Sequence, residues 1–354
     1  MISDVERGIH AEIEARGPIT FARFMELALY GPGGYYEHPP VGMDGDFLTS
    51  PHVHPLFGEL LARAVRGFHD ALGRPEPLRL VEAGAGDGTL ARQLLGSLSD
   101  LPVGYTAVDT SPGAREALAA VPGLAVAASL ETPFEVLVAN ELLDNLPFRI
   151  LHDGLERRIG LDPNRGLREV AHAADAHLSG FVGRGDGIVP TGALDFIDRL
   201  ADGLTSTPGY ALLIDYGAEA GEAGGQVHGY RDHALVQDVL ARVGESDITA
   251  GVDFGLLADR ASQRGAVACP LVTQRAALVA LGFEAWFHEQ LAAQHAALEA
   301  RDGMAAVRTW SGKSRASLLA DPGGLGRFRW LVLASPGLPP PDWLLKAASA
   351  EGPS

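Results

Sequence analysis

One cysteine, Cys269, occurs in 354 residues. No intramolecular disulfide can form, and no zinc site built on several cysteines exists. Positive charge is also scarce: 28 Lys and Arg stand against 45 Asp and Glu, a net charge of −17. Nucleic acid and anionic membranes are recognised by clustered cations, so neither is expected as the main partner. No run approaches the ~20 apolar residues of a membrane-spanning helix. The opening MISDVERGIHAEIEARG is charged from Asp4 onward and lacks the apolar stretch of a signal peptide. These absences set the expectation of a soluble, cytoplasmic protein with no membrane insertion. Arginine greatly outnumbers lysine, which is a coding bias more than a functional signal.

What is present is patterned. The length suits one large α/β domain with insertions or two smaller units, at roughly 100–200 residues per domain. Ser3 or Asp4 caps a first helix with Val5, Ile9 and Ile13 on its apolar side. TFARFMELALY reads as a second helix that stops at Gly31-Pro32. The Gly/Pro-rich stretch that follows has no period and is long for a loop, a length that is often functional. From Leu78 strands and helices alternate: LRLVEAG, DGTLARQLLGSL, GYTAVDTS, PGAREALAAV, LAVAASL, FEVLVANE and later GYALLIDYG. That order predicts a parallel sheet with helices on both faces. RILHDGLERRIGLD alternates apolar and polar residues and reads as an inserted β-hairpin. AVACPLVTQ and RFRWLVLAS are late strands, with helices from about Arg275 to Ala300 between them, and the proline-rich tail is expected to fray. The expected division is a helical N-terminal segment with a lid loop (1–75) and a cofactor-binding core (76–217, insertion at about 149–190). An insertion segment with the second half of the core (218–335) and a flexible tail (336–354) complete it.

LVEAGAGDGTL sets Gly84, Gly86 and Gly88 between a strand and a helix. Glycines there let backbone N–H groups approach a ligand. A nicotinamide site would need Gly or Ala at position 89, where this chain has Thr89. The G-x-G-x-G spacing, preceded by Glu82, is that of S-adenosylmethionine (SAM) methyltransferases. Asp109, at the tip of the second strand, stands where a carboxylate accepts ribose hydroxyls. The bland alternative is a tight strand-to-helix turn without a ligand.

The chain resembles the MidA family of SAM-dependent methyltransferases, which includes the mitochondrial complex I assembly methyltransferase. The matching pieces are GPITFARFMELALYGPGGYY, GDFLTSP, LFGELLARAV, VEAGAGDGTL, ANELLDNLPFRIL, LLIDYG, DITAGVDFGLLA and Thr273-Gln274. The resemblance implies a class I methyltransferase fold: α/β, Rossmann-like, with a seven-stranded mostly parallel sheet, a helical N-terminal extension and inserted hairpin and loop segments. It implies SAM as cofactor, a protein substrate and arginine methylation linked to a respiratory complex. A homodimer is left open. The departures are Ala85 and Asp87, in a loop that usually reads G-P-G-x-G in the family, and His52, which stands where an acid is common.

VLVANELLDNLPF runs from an apolar strand into Asn140, Glu141 and Asp144. At the carboxyl end of a doubly wound sheet these polar groups face a ligand. Asn140 is expected to bind the methionine end of the cofactor or the nucleophile; Glu141 and Asp144 are expected to hold a cationic nucleophile. The rival reading has Asp144 capping a turn and Glu141 pairing with an arginine such as Arg149. Asp46 and Thr49 sit in the long loop, placed to close over SAM, or else in a plain Asx turn. Asp215 and Tyr216 end the fifth strand on the ligand side. His52 and His54 have metal-ligand spacing, but no partner residue is apparent and no metal site is expected. Tyr35-Tyr36 are read as packing anchors. The expected activity is methyl transfer to a protein arginine; a small-molecule methyltransferase and a SAM-binding assembly factor are the rivals.

Overall fold

The computed structural model describes residues 3–37, 49–131, 133–182, 186–219, 226–231 and 234–352. Its centre is an eight-stranded sheet. The first strand, Leu78–Ala83, pairs in parallel with the second, Val103–Val108, on one side and with the fourth, Val136–Asn140, on the other. The third strand, Leu124–Ala127, lies outside the second. The fifth, Tyr210–Asp215, lies parallel beside the fourth, and Arg329–Ala334 runs antiparallel beside the fifth. Strand order therefore reverses between the first and fourth strands, and a crevice opens at their carboxyl ends.

Strands buried on both faces read as continuous apolar runs, and these do. Val136 to Ala139 and Tyr210 to Ile214 are fully buried. On one face pack the helices Leu56–Ala71, Thr89–Ser97, Gln274–Ala280 and Asp342–Glu351; on the other lie Thr191–Ser206 and Phe254–Gln263. Caps fix the helix starts. Ser3, Thr20 and Asp253 each accept from an N–H three residues on, at 3.1, 3.0 and 2.9 Å.

Four differences from the sequence reading have physical causes. The expected single strand AVACPLVTQ is two short strands, Val267–Ala268 and Val272–Thr273, because Pro270 cannot donate to a ladder. This makes eight strands where seven are expected. The expected hairpin after Arg149 belongs to a separate five-stranded sheet whose edge is Ile19–Thr20 and whose other strands span Arg149–His152, Leu155–Leu161, Leu167–Ala173 and Gly187–Val189. That sheet and the first two helices form their own apolar cluster around Phe21, Phe24, Phe148 and Ile159. A helix at Gly303–Ser317 lies beyond the expected helical stretch. The tail does not fray: it forms the helix Asp342–Glu351, which buries Trp343, Leu344 and Ala347.

Candidate active site

The crevice encloses about 590 Å³, within the range of about 300–1,000 Å³ usual for small-molecule sites. Thr49, Glu82, Gly84, Gly86, Asp109, Asn140 and Glu141 line it, while Gly88 and Asp144 stand just outside its wall. Asp46 lies outside the described residues, as does the preceding part of the expected lid loop.

Gly84, Gly86 and Gly88 are all left-handed, with φ of 72°, 55° and 77°. They serve different ends. A Cβ on Gly84 would fall 2.9 Å from Leu142, and one on Gly88 3.0 Å from Leu118. Packing requires both. A Cβ on Gly86 would meet nothing, so there the backbone itself borders open cavity. Asp109 holds this loop: one oxygen accepts from the Gly86 N–H and the other from the Ser111 N–H, both at 2.9 Å. A carboxylate has about four acceptor positions, so each oxygen keeps one. Burial raises the Asp109 pKa against the pull of those two N–H groups. Glu82 is 3% exposed. Burial pushes its pKa up to about 8, although the Tyr105 hydroxyl donates to it at 2.5 Å.

The fourth strand leaves the sheet at Asn140. Glu141 has φ 53°, a left-handed setting that costs a non-glycine residue roughly 1–2 kcal/mol. Its N–H still donates to the Ile214 carbonyl at 2.8 Å. The carboxylate is fixed by the Ser50 N–H at 2.8 Å and the Asn140 amide at 3.1 Å, both on Oε1. Burial raises its pKa. Asn140 Oδ1 is buried without a partner. Asp144 Oδ2 accepts from the Thr249 hydroxyl at 2.6 Å, and its Oδ1 is buried without a partner. Burial, then Asp215 and Asp247, hold the Asp144 pKa well above the carboxylate range. Asp215 is fully buried and accepts the N–H groups of Leu143 at 2.7 Å and Tyr216 at 2.8 Å. Burial first, then Glu141, brings its pKa to about 7.

Among the described residues no Lys or Arg is bonded to Glu141, Asp144 or Asp215. Arg149, the expected partner of Glu141, pairs instead with Glu156 and Asp175. Buried acids without a cation are costly, and a positive or proton-releasing guest relieves that cost.

His52 and Asp87 meet. His52 Nε2 lies 3.1 Å from Asp87 Oδ2, and its Nδ1 lies 2.7 Å from Thr49 Oγ1. Burial would raise the Asp87 pKa, but His52 and both donors of Thr89 outweigh it and bring it to about 2. His54 turns elsewhere: its Nδ1 accepts from the Leu56 N–H at 3.1 Å, and its ring meets Trp286 edge-on. The two histidines do not converge on a metal position. Several site residues escaped the sequence reading. Tyr36 lines the wall and donates to Asp247 at 3.0 Å, while its carbonyl accepts from Ser111. Ser50 and Thr249 fix the two acids. Asp247 and Thr249 lie in DITAGVDFGLLA and Ser50 in GDFLTSP, pieces that mark the family without saying which residue anchors which acid.

A family model described as an S-adenosyl-L-methionine-dependent methyltransferase matches residues 60–271. The chain belongs to this family. Proteins of Xenopus tropicalis and Rattus norvegicus, each named protein arginine methyltransferase NDUFAF7, mitochondrial, are 30% identical to it. The matches cover 70% and 80% of this chain and 68% and 75% of theirs. A crystal structure from Burkholderia thailandensis, described as a candidate methyl transferase bound to S-adenosyl-homocysteine, is 26% identical with a TM-score of 0.82. That likeness spans 96% of this chain and 94% of the other. The MidA resemblance and the class I α/β fold hold, and the enzyme is a SAM-dependent methyltransferase. The cytoplasmic expectation is corrected: the curated relatives are named mitochondrial. Acidic charge and a lone cysteine do not separate the two. Among the described residues no helix is long and apolar enough to cross a membrane.

Proposed function

We propose that this methyltransferase acts on arginine side chains of a protein, with a respiratory-complex subunit as the substrate class the family resemblance implies. The observation that carries the reading is that Glu141 in the crevice wall and Asp144 just outside it are part-buried carboxylates with no Lys or Arg bonded to them. The names of the curated relatives support it.

The crevice fits SAM on three counts: its volume, the open space at Gly86 and the orphaned Asn140 Oδ1. Bound SAM supplies an electrophilic methyl group on a sulfonium. Asp109 would hold the ribose hydroxyls with its remaining lone pairs, and Gly84 and Gly86 would bring backbone against the ligand. On the substrate side, prior deprotonation of a guanidinium at pH 7 costs roughly 7–9 kcal/mol. Carboxylates therefore orient the group and take its proton as bonding changes. Ser50 and Asn140 both use Glu141 Oε1, so Oε2 is the oxygen offered to the substrate. Its raised pKa suits a proton acceptor. Closing this site against water and fixing the reactants in line are the main contributions of the protein.

Transfer of labelled methyl from SAM into a lysate of cells lacking the protein tests the reading, with Gly86→Arg as blank. The expected label sits in protein and hydrolyses to methylarginine. Glu141→Gln and Asp144→Asn should each lower kcat by about a hundredfold while leaving SAM affinity within a few-fold. Label found only among metabolites would replace the reading with a small-molecule methyltransferase. No label in either fraction, with SAM still bound, would favour a SAM-binding assembly factor.

A further inference from the structure

The helices Phe283–Glu299 and Gly303–Ser317 form a hairpin that packs mainly on itself. The first buries only Phe283 and the second only Ala306 and Ala316. At 1.5 Å per residue each helix is about 22–25 Å long. Its outer side is apolar: Leu298, Met304, Val307, Trp310 and Leu318 are 47–68% exposed. They are five of the eleven large hydrophobics exposed among the described residues, gathered within one hairpin. At 100° per residue Met304 and Val307 share one side of their helix, with Trp310 at its edge, and Leu318 caps its end.

The charge of the second helix opposes that of the molecule, whereas the first carries Glu284, Glu289 and Glu299. The helix Gly303–Ser317 carries Arg308, Lys313 and Arg315 and no acid, in a chain of net charge −17. Lys313 is used within the hairpin, on Gln294 and the Phe287 ring. Arg308 and Arg315 carry no ion pair among the described residues. The arm also stands next to the catalytic crevice. A Cβ on Gly312 would lie 3.8 Å from His54 Nε2. His54 closes the short helix Ser50–Val53, whose first N–H holds Glu141.

We propose that this hairpin face is the docking arm for the protein substrate, and that it takes a segment carrying Asp or Glu beside apolar residues. This rests on the protein-substrate reading above. Charge selects the occupant. Two-fold pairing of the basic helix with its own copy would set Arg308 and Arg315 against themselves. An anionic membrane would meet a molecule of net charge −17. An acidic, apolar segment satisfies both halves of the face. Binding energy gathered there, away from the reacting atoms, would be spent on orienting the side chain that enters the crevice.

The test compares wild type with Val307→Glu/Trp310→Glu and with Arg308→Glu/Arg315→Glu, using the full chain. Labelled methyl from SAM is counted in proteins of a lysate from cells lacking the enzyme, and SAM affinity is measured alongside. Both double variants should lose protein labelling about tenfold or more with SAM affinity unchanged. Wild-type labelling should fall as salt rises. Labelling that persists in both variants overturns the docking arm and leaves the arginine reading intact. Absence of protein label from wild type overturns both. A loss matched by dissociation of a dimer in light scattering assigns the face to a second copy and overturns the proposal. Flotation of wild type with phosphatidylcholine–phosphatidylglycerol vesicles, abolished in the variants, assigns it to a membrane and does the same.

Discussion

His52, which stands where the family resemblance has an acid, touches Asp87 of the glycine loop at 3.1 Å. The histidine is thus held against the glycine loop. It gives no sign of a changed substrate pocket, since its two ring nitrogens are engaged by Asp87 and Thr49. The pair ties the segment after the long loop to the turn that cradles the cofactor. Removing either partner should weaken SAM binding several-fold in calorimetric titration. The exchanged pair His52→Asp/Asp87→His should recover much of that loss. A part-buried pair of this kind is worth about 1 kcal/mol of coupling. Strictly additive losses, with no recovery on exchange, would reduce the contact to coincidence. What the sequence disclosed at this scale was residue type. Glu141 and Asp144 were legible because they end a buried strand. Their anchors were not, because Ser50 and Thr249 lie 91 and 105 residues away along the chain.

Elements were legible where their period matched one environment. The first, fourth and fifth strands are buried on both faces and betray themselves as short apolar runs. The inserted hairpin read correctly as alternating strands, but its partner Ile19–Thr20 is too short to show a period. The tail misled because PGLPPPDW carries loop composition. Pro341 in fact stands at the helix start, where its missing N–H is harmless. Trp343 then packs edge-on against Phe68 and Trp330, at ring distances of 5.8 and 5.9 Å. Trp343→Ala should cost about 3–5 kcal/mol, the usual range for a buried large aromatic. Thermal unfolding of the ligand-free enzyme reads this directly. A melting temperature equal to wild type would mean that the tail helix contributes nothing to the core.

On the scale of the whole molecule, acidity reaches inside. Glu82 and Asp215 are buried, Glu141 and Asp144 are part-buried, and all four are pushed upward, chiefly by desolvation. A carboxyl whose pKa is higher in the fold than in the open chain stabilises the fold below its ordinary pKa. That contribution drains away as pH rises toward the folded value. For Glu82 the window runs from 4.5 to about 8. At 1.36 kcal/mol per pKa unit, its ionisation would cost on the order of 3 kcal/mol by pH 7. The free enzyme should therefore melt at progressively lower temperature between about pH 5 and pH 8. Glu82→Gln removes the charge and keeps an acceptor for the Tyr105 hydroxyl. It should flatten part of the slope and raise the melting temperature most at the alkaline end. The slope that remains belongs to Glu141, Asp144 and Asp215, of which Glu141 lines the crevice. Free arginine or agmatine at millimolar concentration should reduce that residue of the slope by supplying the missing cation. Equal slopes in wild type and Glu82→Gln would mean that Glu82 is not the acid that destabilises the free enzyme as pH rises.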